Sequence, residues 1–177
     1  QEKGDFLEQS FSVLNEDDIV VIGRVGEKSA ERNKALGSNV ENFIRGANCT
    51  VMTVGEHFKA PTRFIFAYEY SPTCIKMMKR IAQSDLLKLL QCHLLYVGDH
   101  PELLNEPADF LTAAGLDVVV EYRYGDVAEN ILDYQREHGI QLIVLGAFSH
   151  SKIHQFFLGS ITTNIFRNST VPLLVAK

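Results

Sequence analysis

The sequence predicts an α/β protein built on a doubly wound, five-stranded parallel sheet. Over residues 62–177, short apolar runs alternate with segments of helical period, as is typical of parallel strands joined by helices. The runs are apolar along most of their length, which indicates strands that are buried on both faces. Part of the pattern also occurs earlier in the chain, since Leu36-Gly37-Ser38 recurs as Leu158-Gly159-Ser160, 122 residues later. This recurrence predicts a tandem repeat.

Residues 62–177 contain every element that a complete domain of this class needs. Ser71-Pro72 predicts the cap and first turn of the first helix, Pro107 predicts a kink or an interruption in the second, and Asp126 predicts an N-cap for the third. The predicted strands are 63–69, 92–98, 116–124, 141–148 and 171–177, and the predicted helices are 71–90, 102–115, 126–139 and 160–169.

Residues 1–61 repeat only the second half of that pattern. They predict a helix over 4–17, a strand over 18–26, a helix over 38–46, a strand over 49–55 and a linker over 56–61. We interpret 1–61 as the C-terminal half of a first domain and 62–177 as a complete second domain. Because a strand–helix–strand unit cannot bury both faces of a parallel sheet, we expect further residues or another chain to complete the first domain. We also expect 171–177 to pack beside 49–55, because each would otherwise be an exposed apolar edge.

Composition excludes several classes of partner. The net charge is −5, made up of −3 over 1–61 and −2 over 62–177, so neither part has the basic surface that nucleic-acid polymers or anionic membranes require. The three cysteines fit no metal or disulfide spacing, and no apolar run is long enough to span a membrane. These features predict a soluble, cytoplasmic protein.

The loops that follow the fourth strand of each copy are the candidate ligand-binding segments. Gly23 and Gly26 precede Gly37-Ser38 in the first copy, and Gly146 and Ser149 precede Gly159-Ser160 in the second. Glycine after a parallel strand lets the backbone approach a ligand, and a Gly-Ser helix start offers amides to an anion. Turn-forming glycines and helix-capping serines are the simpler interpretation of either copy alone.

The segment from Gln141 to Lys177 resembles the C-terminal half of a universal stress protein domain, whose signature is G-x2-G-x9-G-[ST]. The segment that begins at Arg63 resembles the first strand of that family, and 1–61 resembles the second half of another such domain. The resemblance implies a Rossmann-like, flavodoxin-like sheet in the strand order 3-2-1-4-5. It also implies ATP binding in some members, with Mg²⁺ accompanying the nucleotide, a role in stress survival, and association through the last strands as a pseudo-dimer of tandem domains or as a homodimer.

The resemblance also implies a set of nucleotide-binding residues. Glu69 occupies the place of an aspartate near the adenine and ribose, and Val97 occupies the position that packs on adenine. The full set comprises Ala67, Tyr68, Glu69, Val97, Leu145, Gly146, Ser149, Gly159, Ser160 and Ile161 in the second copy and Gly23, Gly26, Gly37, Ser38 and Asn39 in the first. Ser149 replaces a glycine, and Glu69 is one methylene longer than aspartate, so we expect the first copy to hold the better phosphate loop.

Three function classes follow from these residues. The favoured one is a non-enzymatic nucleotide-binding stress protein with at most very slow ATP hydrolysis, and the alternative is an interaction module of the same fold that has lost nucleotide. An enzyme such as an ATP-pyrophosphatase is disfavoured, because Tyr68-Glu69-Tyr70-Ser71-Pro72 stands where a Ser-Gly-Gly-x-Asp loop is needed. His150 and His154 have a helical metal-ligand spacing, but without a third ligand they indicate a solvated loop and no metal site.

Overall fold

The computed structural model describes residues 6–24, 38–55, 58–146 and 160–176. The helices are α1 (Phe6–Val13), α2 (Ser38–Gly46), α3 (Pro72–Gln83), α4 (Asp85–Lys88), α5 (Asn105–Ala113), α6 (Val127–Glu137) and α7 (Ser160–Asn168), with a 3₁₀ helix at Pro101–Leu104. The strands are β1 (Ile19–Gly23), β2 (Thr50–Val54), β3 (Arg63–Ala67), β4 (Gln91–Val97), β5 (Asp117–Arg123), β6 (Leu142–Gly146) and β7 (Leu173–Ala176). Strands and helices alternate as the sequence predicts.

All the strands of the described residues form one sheet in the order β1-β2-β7-β6-β3-β4-β5. The last five strands of the chain follow the order 3-2-1-4-5 within it, and every pair among them is parallel. The predicted fold class and strand order are therefore confirmed.

The two terminal strands of the repeat pair directly with each other. β2 lies antiparallel to β7, with Met52 opposite Leu174 and Val51 opposite Val175. Each strand thereby covers the edge that the other would expose to water. The prediction that these two segments pack side by side is confirmed.

Helices cover both faces of the sheet, as a doubly wound fold requires. On one face, Ile65 and Ala67 of β3 pack in a core with residues of α2, α6 and α7. On the other face, Phe64, Phe66 and Tyr68 pack with residues of α3 and α5. Successive side chains of a strand point to opposite faces, so one short apolar run supplies both cores.

Two of the helices predicted within residues 62–177 differ from the prediction. The single helix predicted over 71–90 is divided at Ser84, which adopts an extended backbone after α3 and whose hydroxyl accepts a hydrogen bond from the Leu87 amide at the start of α4. The helix predicted over 102–115, which Pro107 is predicted to kink or interrupt, is interrupted. A 3₁₀ helix ends at Leu104 and α5 begins at Asn105, so that Pro107 lies in the first turn of α5, where a helix does not use the missing amide.

The predicted helix caps are confirmed. The Ser71 hydroxyl accepts a hydrogen bond from the Cys74 amide at 3.2 Å, and the Asp126 carboxylate accepts one from the Glu129 amide at 2.9 Å. Gly139, which follows α6, has a φ of +58°, a conformation that other residues adopt at a cost. Local chemistry therefore fixes these helix ends.

Two arginines join the N-terminal unit to the rest of the chain. The Arg24 guanidinium donates to the carbonyl of Ser169 at 2.6 Å, to that of Val171 at 3.3 Å and to that of Phe166. The Arg80 guanidinium of α3 donates to the Glu16 carbonyl at 2.7 Å and to the Thr50 hydroxyl. The junction is thus held by charge-assisted hydrogen bonds as well as by the pairing of β2 with β7.

Candidate functional site

A cavity of about 290 Å³ lies at the carboxyl ends of β3 and β4. The chain runs outward from β3 to β4 and β5 and then returns to the other side of β3 as β6 and β7. The cavity therefore lies where the strand order reverses, which is the usual ligand position in open α/β sheets. It is lined by Ala67, Tyr68, Glu69, Tyr70, Ser71, Leu95, Tyr96, Val97, Leu103, Val127, Ile131 and Ile161.

The structure brings five of the residues implied by the resemblance to this cavity. Ala67, Tyr68 and Glu69 come from the end of β3, Val97 ends β4, and Ile161 lies in the first turn of α7. These residues are far apart in the sequence and meet because parallel strands end at the same edge of the sheet.

The remaining residues of the second-copy set lie elsewhere or outside the described residues. Leu145 and Gly146 end β6 and are absent from the cavity lining. A Cβ at Gly146 would lie 2.9 Å from the Cys74 Sγ, so this position needs glycine because α3 packs closely against it. Ser160 is exposed and is the first residue of α7, next to Ile161. Ser149 and Gly159 lie outside the described residues, as do His150 and His154.

Only part of the first-copy loop is described. Gly23 ends β1 and pairs with Val54 of β2, and Ser38 and Asn39 begin α2. Gly26 and Gly37 lie outside the described residues. The expectation that this copy has the better phosphate loop stays a prediction.

Sequence reasoning missed the residues that form the walls of the cavity. Val127 and Ile131 are one helical turn apart on α6, and Leu103 belongs to the 3₁₀ helix before α5. Their apolar spacing predicts only that they face the interior. Tyr70, Ser71, Leu95 and Tyr96 adjoin residues of the implied set along the chain, and proximity to that set was the one signal that could have identified them.

The cavity is apolar apart from tyrosine and serine hydroxyls and one carboxylate. Burial, followed by the neighbouring Cys74, Tyr70 and Glu106, raises the pKa of Tyr68 to about 12. Burial also raises the pKa of the Cys74 thiol to about 11. Both groups are therefore protonated at neutral pH, and the site holds ring surfaces and hydroxyl donors without an activated thiolate nucleophile.

A cluster of polar side chains lies between β4 and α6. The buried His93 ring has its Nδ1 atom 2.8 Å from the Tyr134 hydroxyl and its Nε2 atom 3.1 Å from the Gln91 side-chain oxygen. The Arg123 guanidinium lies over the Tyr134 ring at 4.8 Å from its centroid and forms an ion pair with Glu137 at 2.5 Å. A neutral imidazole satisfies both contacts of His93 by accepting from the tyrosine and donating to the glutamine.

We expect the free energy of unfolding to fall as the pH drops below about 6.5, the ordinary pKa of histidine. Burial, His138 and Arg63 lower the pKa of His93, and Asp117 opposes them. The unfolded chain then binds a proton that the folded chain resists, so acid favours unfolding until the pH falls below the folded-state pKa. Urea unfolding at several pH values measures this effect.

The matched variants are His93→Gln and His100→Gln. In His93→Gln, the free energy of unfolding should decline less between pH 6.5 and the folded-state pKa. In His100→Gln, which changes an exposed histidine, it should decline as in the unmodified chain. The same decline in the His93→Gln protein as in the unmodified chain would contradict this assignment.

Two further features are absent from the part of the chain that the structure describes. No group of three or more His, Cys, Asp or Glu side chains among them is arranged to hold a metal ion. None of their helices is long and apolar enough to cross a membrane.

Comparisons with known proteins agree on one family. Residues 99–177 match the model of the universal stress protein family. A universal stress protein of Synechocystis is 31% identical over 166 residues, which cover 90% of this chain and 58% of that protein. The chain thus spans less than two thirds of the length of this relative.

Solved structures share the fold. A universal stress protein from Archaeoglobus fulgidus matches with a TM-score of 0.70 and 21% identity, over 90% of this chain and 60% of that one. A universal stress protein crystallised in complex with cAMP matches with a TM-score of 0.57 and 21% identity, over 67% of this chain and 98% of that one.

Proposed function

Because this chain belongs to the universal stress protein family, we propose that it is a nucleotide-binding stress protein without a catalytic reaction of its own. The cavity at the ends of β3 and β4 carries the proposal. It lies at the reversal of strand order and gathers five residues that the family resemblance assigns to nucleotide. Its volume of about 290 Å³ is at the lower end of the range for small-molecule pockets, which suits the nucleoside part of the ligand.

The lining favours a flat, uncharged ring system. Val97, Val127 and Ile131 supply apolar contacts, while Tyr68 and Tyr96 supply ring faces and hydroxyls. The Glu69 side chain is half-buried at the edge of the cavity, and a carboxylate there accepts hydrogen bonds from sugar hydroxyls or an exocyclic amine.

The phosphates are expected to extend from the cavity toward the start of α7. Ile161 lines the cavity and Ser160 precedes it as the first helical residue, so this helix end is the nearest described source of free amides for an anion. ATP, with Mg²⁺ bound to its phosphates, is the proposed ligand. Because a relative has been crystallised in complex with cAMP, a cyclic nucleotide should be tested as well as ATP.

The decisive experiment is calorimetric titration of the chain with ATP, ADP and cAMP. Val97→Trp places a large ring in the cavity and should weaken nucleotide binding at least about tenfold, since a filled pocket removes the apolar contact area. Val54→Trp is the matched control, because Val54 is also a half-buried valine at the last position of a strand and does not line this cavity.

Three outcomes separate the alternatives. Loss of binding in Val97→Trp with unchanged binding in Val54→Trp supports the cavity as the site. If Gly37→Val abolishes nucleotide binding and Val97→Trp leaves it intact, the nucleotide binds to the first copy. Absence of binding to all three nucleotides, in a folded protein, favours an interaction module that has lost the ligand.

The described lining residues support the non-enzymatic role that we propose. The only charged side chain in the lining given by the described residues is Glu69, and the nearby Cys74 thiol is protonated. No described pair in the lining combines a nucleophile with a histidine base. The proposed location is the cytoplasm, where ATP is abundant.

A further inference from the structure

β5 forms the outer edge of the sheet and carries exposed β-branched and aromatic side chains between charged residues. β5 is the last strand in the sheet order, and no described strand pairs with its outer side. Val120 is 48% exposed, Tyr122 is 50% exposed, and Tyr124 beyond the strand end is also exposed. An exposed edge of β-branched and aromatic residues is a template for pairing with another strand.

The backbone of β5 shows which residues face outward. The Arg123 carbonyl accepts a hydrogen bond from the Gly98 amide, on the β4 side, at 2.9 Å. Because backbone groups of successive residues in a strand point to alternate edges, the odd-numbered residues are directed toward β4. The amides and carbonyls of Val118, Val120 and Tyr122 therefore point away from the sheet.

The order of charges along β5 is complementary to itself. When two copies pair antiparallel about Val120, Asp117 of each lies opposite Arg123 of the other, and Val118 lies opposite Tyr122. Cross-strand pairs of opposite charge and of aromatic with β-branched residues are favourable. This register also places outward-facing residues opposite one another, as antiparallel hydrogen-bonded pairs require.

Charge disfavours the two neighbouring registers. A two-fold axis at Val119 sets Asp117 opposite Glu121, and an axis at Glu121 sets that residue opposite its own copy. Like charges directly opposite each other are destabilising. Backbone direction allows all three registers, and charge favours the one with its axis at Val120.

We propose that β5 pairs antiparallel with β5 of a second copy about a two-fold axis at Val120, which joins two sheets into one. Phe110 of α5, 40% exposed, lies on the helix that packs against this strand. Val118 packs in the same core as Leu111 of α5. The even-numbered side chains of β5 therefore lie on the face of the sheet that α5 covers. The aromatic residues on that face extend the contact beyond the backbone ladder.

The first test is sedimentation equilibrium on the full chain. The unmodified protein should form dimers, and Val120→Lys should shift it to monomer, because lysine at a sheet edge opposes pairing. Val21→Lys is the matched control at the opposite edge of the sheet, where Val21 is 60% exposed on β1, and it should leave the dimer unchanged. Circular dichroism checks that both variants fold.

The second test is a disulfide across the axis. Directly opposed residues of a hydrogen-bonded pair have Cα atoms about 5.5 Å apart, a separation that a disulfide spans. Val120→Cys should therefore form a covalent dimer on oxidation, and Val21→Cys should not; the native cysteines are buried. A monomer at the highest soluble concentration, or cross-linking through Val21→Cys alone, would overturn the proposal.

Discussion

Replacing Tyr134 with alanine should lower the free energy of unfolding by about 3–5 kcal/mol, as is usual for a large aromatic residue lost from a core. Tyr134 is 1% exposed and ranks among the largest fully buried side chains of the described residues. Its ring lies 4.1 Å from the His138 ring centroid and contacts the Arg123 guanidinium. The alanine variant removes these contacts and leaves a cavity between α6 and β4. Urea unfolding followed by circular dichroism measures the loss.

Tyr134→Phe separates the hydroxyl from the ring. It keeps the packing and removes only the partner of the His93 Nδ1 atom, so the expected loss is about 1–3 kcal/mol for one unsatisfied buried group. A loss in Tyr134→Ala no larger than that in Tyr134→Phe would show that the ring contributes little and would contradict the prediction.

Replacing Arg24 with alanine should lower the free energy of unfolding by about 3 kcal/mol. The Arg24 guanidinium holds carbonyls at the end of α7 and beyond it, across the junction between the N-terminal unit and β7. Hydrogen bonds to a charged donor contribute about 1.5–3 kcal/mol each, and the alanine variant removes several at once. Hydrogen exchange should show the largest loss of protection in β1 and β2.

Lys76→Ala is the matched control for Arg24→Ala. The Lys76 ammonium also reaches across the junction, to the Glu16 carboxylate at 3.5 Å, but both side chains are exposed. A surface ion pair contributes at most about 1 kcal/mol, so this variant should unfold almost as the unmodified chain does. Equal effects of the two substitutions would indicate that the Arg24 contacts do not stabilise the junction.

Sequence reasoning predicted most of the fold because its signals are local. Apolar runs placed all the strands of the described residues, and Ser71, Asp126 and Gly139 marked helix ends that the structure confirms. Two helices differ from the prediction for local reasons, which the spacing of apolar residues does not reveal. Ser84 ends one helix and begins another, and Pro107 lies in the first turn of a helix that follows directly on a 3₁₀ helix.

The candidate site was predicted only in part. The family resemblance supplied Ala67, Tyr68, Glu69 and Val97 at strand ends and Ile161 in α7. The walls from α6 and the 3₁₀ helix were missed, because an apolar residue on a helix predicts burial without identifying what it faces. The assignment of Gly146 to nucleotide stays a prediction, and the structure adds that a side chain at this position would crowd Cys74.

The sequence by itself determined the elements of this protein, their order and the internal repeat, because period, caps and turn residues act over a few neighbouring positions. Apart from the pairing of β2 with β7, which the sequence predicted, the tertiary structure decided which of those residues meet. The cavity, the polar cluster at His93, the Arg24 junction and the outward direction of the Val120 backbone all depend on how the sheet aligns segments that are distant in the chain. Such contacts are set by the register and order of the strands, and a single side chain carries no local signal of its partner across the sheet.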